Sequence, residues 1–235
     1  MVGEIPRVVG TLSSLPETVS ALAADLRSDV VEIRLDALPI RSRWLKCGRA
    51  IQAGGWPVIL TIRLNSEGGK WAGPDTDRLE LFQQGLKYLS AVDVELDSQI
   101  VSSVSRAAKR LGKAVIVSYH NFEKTPPLAK LEAIVSEAQP LASIVKIATM
   151  VTREKDVEIL RSLLLRNGTA PLCVIGMGPL GTRTRVSFAA LGSCLTYGYL
   201  DKPIAPGQLA AATLVEQLRQ FLPQKIAAWK PATFR

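Results

Sequence analysis

The sequence of 235 residues predicts a single-domain (β/α)₈ barrel of the α/β class. Eight short segments with branched apolar residues alternate with longer segments of helical periodicity, which is typical of a parallel sheet flanked by helices. Eight such units in this length suit a compact barrel, whose usual size is about 250 residues. The alternative, a doubly wound sheet, is disfavoured because the first strand runs into Thr11-Leu12-Ser13-Ser14 rather than a G-x-G-x-x-G loop.

The predicted strands share branched apolar residues and a nearby turn or cap signal, and they cover residues 7–12, 30–35, 57–63, 91–96, 114–119, 144–148, 171–176 and 194–199. The predicted helices contain good helix formers at helical spacing, over residues 16–27, 75–89, 98–111, 127–139, 152–166 and 206–222. Two weaker helix signals cover residues 44–53 and 184–191. We expect one domain over residues 1–235, with residues 223–235 as a terminal or linker-like segment.

The chain is basic, with 29 Lys and Arg against 21 Asp and Glu, which leaves a net charge of +8. This balance suits an anionic partner such as nucleic acid, an acidic surface or a small carboxylate or phosphate. The simpler explanation is that scattered surface Lys and Arg keep the protein soluble. A nucleic-acid-binding protein is disfavoured because the basic residues are spread along the chain without interleaved aromatic residues or a recognised motif.

Cysteine and histidine are too few for a common zinc site. The three cysteines, Cys47, Cys173 and Cys194, have no C-x-x-C spacing, and His120 is the only histidine. A reduced, cytoplasmic setting is the default expectation. The N-terminus has no signal-peptide pattern, and no window reaches about 18 uncharged apolar residues, so we expect neither secretion nor a membrane span.

Charged residues near the ends of the predicted strands indicate where chemistry occurs, because barrel enzymes place their sites at the carboxyl ends of the strands. Strand two carries Glu32, Arg34 and Asp36 at alternate positions, so all three point to one face. They are either functional residues or an internal network that stabilises the mouth of the barrel. Arg63 ends strand three, and Glu95 lies near the end of strand four, where a salt bridge is the alternative role.

His120 and Lys146 are the most informative residues. His120 closes strand five, and Lys146 stands alone in the apolar strand Ile144-Val145-Lys146-Ile147-Ala148. Desolvation favours the neutral, nucleophilic form of a buried lysine, although a lysine in a short strand can also extend to solvent. A lysine and a histidine on adjacent strands, with a carboxylate on the strand before, suit Schiff-base chemistry with histidine as the proton carrier.

Two loops at the end of the chain add binding residues. The seventh turn, MGPLGTRTR, holds two arginines, and arginine suits bidentate capture of a carboxylate. The turn after strand eight, KPIAPGQ, is a candidate lid with Gln208 at its tip, or otherwise a turn that starts a helix. An aldolase acting on a phosphorylated ketone is a further alternative, disfavoured because these loops lack a glycine-rich phosphate cradle.

The chain resembles the type I 3-dehydroquinate dehydratases, the Schiff-base enzymes of the shikimate pathway. Its matching segments run in the family's order: VEIRLD, TIRLNSEGG, VDVEL, VSYHNFEKTP, VKIATM, MGPLGTRTR and APGQ. Single motifs such as APGQ are weak, but the ordered set is specific. The resemblance implies a TIM barrel that dehydrates 3-dehydroquinate to 3-dehydroshikimate by syn elimination, without metal or cofactor. It also implies a role in aromatic amino acid biosynthesis and a homodimer.

The resemblance also implies residue roles. Lys146 matches the Schiff-base lysine, His120 the general acid and base, and Glu95 the glutamate that orients the histidine. The residues that match substrate contacts are Glu32, Arg34, Arg63, Arg185 and Gln208. In one departure, Ile204 occupies the position before APGQ where the family usually has serine, so we expect weaker substrate binding with the reaction retained.

Overall fold

A computed structural model describes residues 6–18, 22, 27–39, 43–167 and 171–222. Eight parallel strands form one sheet in the order β7-β6-β5-β4-β3-β2-β1-β8. They are β1 (Arg7–Leu12), β2 (Val30–Arg34), β3 (Val58–Thr61), β4 (Ala91–Glu95), β5 (Ala114–Asn121), β6 (Ile144–Met150), β7 (Leu172–Met177) and β8 (Leu195–Tyr199). At the seam, the Cys194 N–H donates to the Leu172 carbonyl at 2.9 Å, so the sheet nearly closes. The predicted TIM barrel is confirmed.

Helices connect the strands and cover the outside of the barrel. They are α1 (Trp44–Ala53), α2 (Asp75–Leu86), α3 (Val101–Arg110), α4 (Leu128–Ala138), α5 (Glu154–Arg166), α6 (Thr184–Ala190) and α7 (Ala211–Phe221). Both weakly indicated helices, α1 and α6, are present. The helix predicted over 16–27 lies mostly outside the described residues. In the described part of the chain, no helix is long and apolar enough to cross a membrane.

The last helix begins later than predicted. Residues 206–210 belong to the loop after β8, and Ala210 forms a parallel bridge with Tyr199 before α7 starts at Ala211. The sequence signal, Pro206 followed by Gly207, marks a turn rather than the first helical turn, since Gly207 adopts a φ of +71°. The segment therefore remains a loop over the mouth of the barrel.

The strands are buried on both faces, and their side chains alternate between two cores. Val31 and Val92 belong to the cluster between the sheet and the helices, whereas their neighbours Val30 and Ala91 belong to a second cluster inside the barrel. The interior cluster is apolar, and polar side chains such as Glu32 follow it toward the carboxyl ends of the strands. The polar cavity therefore lies at the carboxyl ends of the strands, next to an apolar layer inside the barrel.

Candidate active site

A cavity at the carboxyl ends of the strands collects most of the predicted site residues. Seven of the eight line it: Glu32, Arg34, Arg63, His120, Lys146, Arg185 and Gln208. Ile204 also lines it, together with Thr11, Glu67 and Tyr197, which the sequence reasoning did not single out. Glu95 is the exception, and its contacts are described below.

Lys146 is the third residue of β6, and its side chain lines the cavity. The strand is buried along almost its whole length, so the side chain, 5% exposed, does not extend to solvent. Its Nζ donates to Asp93 Oδ2 at 2.9 Å and lies 4.1 Å from the centre of the Tyr197 ring. The lysine is therefore a buried amine with one carboxylate partner.

His120 is paired with Glu67, which comes from the loop after β3. The Nδ1 atom of His120 lies 2.8 Å from Glu67 Oε2, and the same oxygen accepts the backbone N–H of His120 at 3.0 Å. Burial, together with the nearby cations of Arg63 and Lys146, holds the pKa of His120 well below its usual value. A neutral imidazole with Nδ1 engaged leaves Nε2 as the ring nitrogen that can exchange protons with a ligand.

Two glycines allow the Glu67 loop to reach the histidine. Gly68 has a φ of +75°, and a Cβ on Gly69 would lie 2.1 Å from the carbonyl oxygen of Arg63. The chain therefore folds back tightly on the end of β3, a geometry that side chains would block. Burial outweighs the nearby Arg63 cation and raises the pKa of Glu67 to about 8.

Glu95 does not take the predicted role beside His120, and the structure corrects this assignment. Its Oε1 accepts from Arg63 at 3.0 Å and from the backbone N–H of Leu64 at 3.0 Å, and its Oε2 accepts from Arg78. Both oxygens are thus occupied by other protein groups, and Glu67 holds the histidine. The alternative role, an internal salt bridge, describes Glu95.

Arg63 connects Glu95 to Asp93, the carboxylate partner of Lys146. Its guanidinium donates to Asp93 Oδ1 at 2.6 Å, to Glu95 at 3.0 Å and to Ser118 Oγ at 2.7 Å. Because β3, β4 and β5 are neighbours, these interior side chains meet on one side of the barrel. Burial opposes the charge of Arg63, but the carboxylates of Asp93 and Glu95 outweigh it and raise the pKa of Arg63.

The charged triplet Glu32, Arg34 and Asp36 divides between two environments, and Asp36 lies in a 3-10 helix after β2 rather than in the strand. Glu32 accepts hydrogen bonds from Thr11 at 2.9 Å and Thr61 at 2.7 Å, one hydroxyl to each carboxylate oxygen. Arg34 instead forms a bidentate pair with Asp36, at 2.9 Å for both bonds. Glu32 thus sits fixed in the cavity without a cation among its hydrogen-bond partners in the described structure, so its remaining lone pairs can accept from ligand hydroxyls.

Arg185 is buried without a carboxylate partner among the described residues. Its Nε donates to the carbonyl of Gly207 and its NH1 to the carbonyl of Tyr197, both at 2.9 Å. Burial lowers its pKa to about 10. A guanidinium held only by carbonyl dipoles, in a cavity wall, is suited to receive an anionic ligand group.

The loop after β8 closes over the same side of the cavity. The N–H of Gly178 donates to Pro206 at 3.1 Å, and Thr182 Oγ1 donates to the carbonyls of Gly178 and Gly207. The N–H of Ile204 donates to Gln208 Oε1 at 2.9 Å, so the amide nitrogen of Gln208 remains as a donor. The predicted lid therefore rests on the β7–α6 loop.

Several residues of the site were missed by sequence reasoning. Asp93 could have been identified from the sequence, because it is two residues before Glu95 and shares its face of β4. Glu67 could also have been identified, since it is an acid followed by two glycines after a strand. Thr11 and Tyr197 could not, because an ordinary strand threonine and tyrosine give no local indication of what they contact. Across the described residues, no group of three or more His, Cys, Asp and Glu side chains is arranged to hold a metal ion.

Comparison with known proteins gives a consistent match over nearly the whole chain. The model of the family described as type I 3-dehydroquinase matches residues 5–224. A 3-dehydroquinate dehydratase of Methanocella arvoryzae is 34% identical over 214 residues, which cover 91% of this chain and 96% of that protein. One from Methanosarcina barkeri is 39% identical over 214 residues, or 86% of this chain and 88% of that protein.

Solved structures agree with this match. The crystal structure of the 3-dehydroquinate dehydratase from Aquifex aeolicus has a TM-score of 0.81 and 30% identity, and the match covers 92% of this chain and 98% of that one. For the Geobacillus kaustophilus enzyme the TM-score is 0.82 at 25% identity, with 93% and 92% covered.

Proposed function

Because the chain belongs to the type I 3-dehydroquinase family, we propose that it dehydrates 3-dehydroquinate to 3-dehydroshikimate through a Schiff base on Lys146. One observation carries the mechanism: a single cavity contains a buried lysine, a histidine with a lowered pKa and an arginine without a carboxylate partner among the described residues. These are a nucleophile, a base and an anion site. A cyclic ketone that bears a carboxylate needs all three.

The reaction begins when the lone pair of Lys146 Nζ attacks the ketone carbon. The carbinolamine loses water, and a C=N bond with a cationic nitrogen forms. Nε2 of His120 then removes a proton from the carbon beside the former ketone, and the electron pair of that C–H bond flows to the nitrogen, which leaves an enamine. The iminium is the electron sink for this step.

His120 also completes the elimination. The enamine electron pair returns toward the ring and expels the hydroxyl at the next carbon, which takes the proton from His120 and leaves as water. Water then hydrolyses the conjugated iminium, which releases 3-dehydroshikimate and restores the amine. Since one histidine removes the proton and returns it, both groups depart from the same face, which agrees with a syn elimination.

Glu67 supports His120 in both directions of proton transfer. Its carboxylate accepts from the backbone N–H of His120 and lies against Nδ1, which orients the ring. When ionised, it also stabilises the imidazolium that forms transiently. Glu67 therefore takes the orienting role that the resemblance suggested for Glu95.

The substrate groups have matching partners in the cavity. Arg185 and the amide nitrogen of Gln208 are donors for the carboxylate, and Glu32 and Arg34 are an acceptor and a donor for ring hydroxyls. Arg63 lines the cavity, but three of its hydrogen bonds already go to protein groups. We therefore assign it mainly to holding Asp93 and Glu95. The expected homodimer, metal-independent chemistry, cytoplasmic location and place in the shikimate pathway stay predictions.

Borohydride trapping tests the proposal, because hydride reduces the iminium to a stable secondary amine. The purified protein is incubated with 3-dehydroquinate and borohydride, digested and examined by mass spectrometry. We expect a product-sized adduct on Lys146 and loss of activity, and no adduct in Lys146→Ala. Dehydration of 3-dehydroquinate by a protein whose Lys146 remains unmodified would contradict the Schiff-base mechanism.

A further inference from the structure

The nitrogen of Lys146 lies between an anion and an aromatic face. Asp93 Oδ2 is 2.9 Å from Nζ on one side, and the Tyr197 ring centre is 4.1 Å away on the other. All three side chains are buried, with exposed fractions of 5% for Lys146, 0% for Asp93 and 4% for Tyr197. We call Asp93 and Tyr197 the Lys146 cage.

Asp93 is held in one orientation and in one charge state. Its Oδ1 accepts from Arg63 at 2.6 Å and from Ser118 at 2.7 Å, which leaves Oδ2 for the lysine. Burial alone would raise the pKa of Asp93, but the cations of Arg63 and Lys146 outweigh burial and hold it well below its usual range. A fixed negative charge therefore faces the lysine nitrogen.

Tyr197 contributes its ring rather than its hydroxyl. The hydroxyl is buried and has no hydrogen-bond partner within the described structure. Burial raises the pKa of Tyr197 well above its usual value, so the phenol stays neutral. The negative face of an aromatic ring attracts a cation within about 6 Å, and this attraction grows when water is absent.

We propose that the Lys146 cage keeps the Schiff-base nitrogen protonated, so that the intermediate is the iminium rather than the neutral imine. This inference rests on the proposed function and adds Asp93 and Tyr197 to its catalytic machinery. A buried cavity favours the neutral imine, because desolvation penalises charge. Only a protonated nitrogen accepts the electron pair released when His120 removes the adjacent proton.

The Lys146 cage favours the steps that follow condensation of Lys146 with the ketone. Before condensation, Nζ of Lys146 must carry a free lone pair to attack the ketone, so the two contacts bring no advantage to that step. Once the C=N bond exists, a cationic nitrogen speeds both proton removal and hydrolysis. Loss of the cage should therefore shift the pH range in which the intermediate is reactive, whereas loss of a merely structural contact would lower the amount of intermediate at every pH.

Cyanoborohydride distinguishes these outcomes, because it reduces the protonated iminium in preference to the neutral imine. The trapping of 3-dehydroquinate on Lys146 is followed from low to high pH in wild type and in Asp93→Asn. The asparagine preserves the shape of the side chain and an acceptor for Arg63 but removes the charge. We expect the upper limit of trapping to fall by about one to two pH units, which corresponds to the loss of one charged hydrogen bond.

Tyr197 provides a second test that is independent of the buried charge. Tyr197→Leu removes the ring, and we expect a fall of about half to one pH unit. Tyr197→Phe retains the ring and should restore most of this loss. These variants also keep the inference testable if Asp93→Asn does not fold. The matched control is Asp156→Asn, a buried aspartate that accepts from Thr152 and Arg153 before α5, which should lower thermal stability without moving the trapping profile.

The results separate the two proposals. If the wild-type enzyme neither dehydrates 3-dehydroquinate nor forms an adduct, the proposed function fails. If wild type is trapped but the Asp93→Asn and Tyr197→Leu profiles keep the wild-type pH limit, with or without a lower yield, the cage is overturned.

Discussion

The two sides of the cavity differ in how their cations are paired. On the side built by β2 to β6, Arg63 contacts Asp93 and Glu95, and Lys146 contacts Asp93. On the side built by β7, β8 and their loops, Arg185 donates to two backbone carbonyls. The first side pairs its cations with protein carboxylates before any ligand arrives, whereas the second leaves a positive charge uncompensated by protein carboxylates among the described residues.

This difference separates two tasks. The catalytic side holds Arg63 and Lys146 rigidly, because each of these buried cations contacts a buried carboxylate. Under the proposed function, the positive charge of the binding side is compensated only when the carboxylate of the substrate enters. Arginines on the two sides should therefore respond differently to the same substitution.

The largest expected effect is on folding, from Arg63→Met. Removing this guanidinium leaves Asp93 and Glu95 with less compensation inside the barrel, which should lower the free energy of unfolding by about 3–5 kcal/mol. Chemical denaturation measures the change. Arg185→Met is the comparison and should lose clearly less stability, so equal losses in the two variants would contradict the distinction between the sides.

Arg185→Met should act mainly on substrate binding. Loss of two charge-assisted hydrogen bonds to a carboxylate predicts a decrease in kcat/KM of about a hundredfold to a thousandfold, mostly through KM. Steady-state kinetics with 3-dehydroquinate measure it. Arg183→Met, two residues earlier in the chain, is the control, since Arg183 is exposed and pairs with Glu154, and it should remain near wild type. A decrease confined to kcat would argue against carboxylate binding by Arg185.

The Glu67 and His120 pair predicts a pH dependence on the catalytic side. While Glu67 is protonated, it donates to Nδ1 and places the ring proton on Nε2; ionised Glu67 instead accepts from Nδ1 and frees Nε2 as the base. Because the pKa of Glu67 is raised to about 8, kcat/KM of the wild type should increase with pH through about 8. Glu67→Gln should lose this increase and about tenfold in kcat.

Glu123→Gln, an exposed acid three residues after His120, should retain the wild-type pH profile. If Glu67→Gln kept the increase near pH 8, the titrating group would be another one.

The smallest expected effect concerns the lid on the binding side. Ile204→Ser adds a hydroxyl next to Gln208, and one neutral hydrogen bond to the substrate should lower KM by about twofold to tenfold. The backbone N–H of Ile204 that donates to Gln208 is kept, so the lid itself should not change. An unchanged KM would mean that a side chain at this position does not reach the substrate.

The fold was largely predictable because its signals are local. Strand β1 has its predicted limits, and the other strands differ from prediction by at most two residues at an end. The main error concerned α7, where the contact between Tyr199 and Ala210 extends the loop to residue 210. Such a bridge joins two segments that folding brings together, so the helix propensity of either segment does not predict it.

The types of residue in the site were predictable from the sequence, but the contacts between their side chains were not. Lys146 and His120 stood out because a lysine in an apolar strand and a single histidine at a strand end are locally unusual. Which carboxylate contacts His120 was not predictable in this way, since Glu67 follows β3 and Glu95 ends the neighbouring strand β4. The tight turn at Gly68 and Gly69, and the capture of Glu95 by Arg78 from α2, made that choice.

The sequence by itself determined the barrel, the order of its elements and the chemical groups at its mouth, because hydrophobic periodicity and residue type are properties of short segments. Only the tertiary structure decided how those groups are paired: Asp93 and Tyr197 with Lys146, Glu67 with His120, and Arg185 with backbone carbonyls. The physical reason is that the electrostatic energy of a buried charge depends on its distance from other charges and on how far water is excluded around it. Both quantities arise when distant segments of the chain meet.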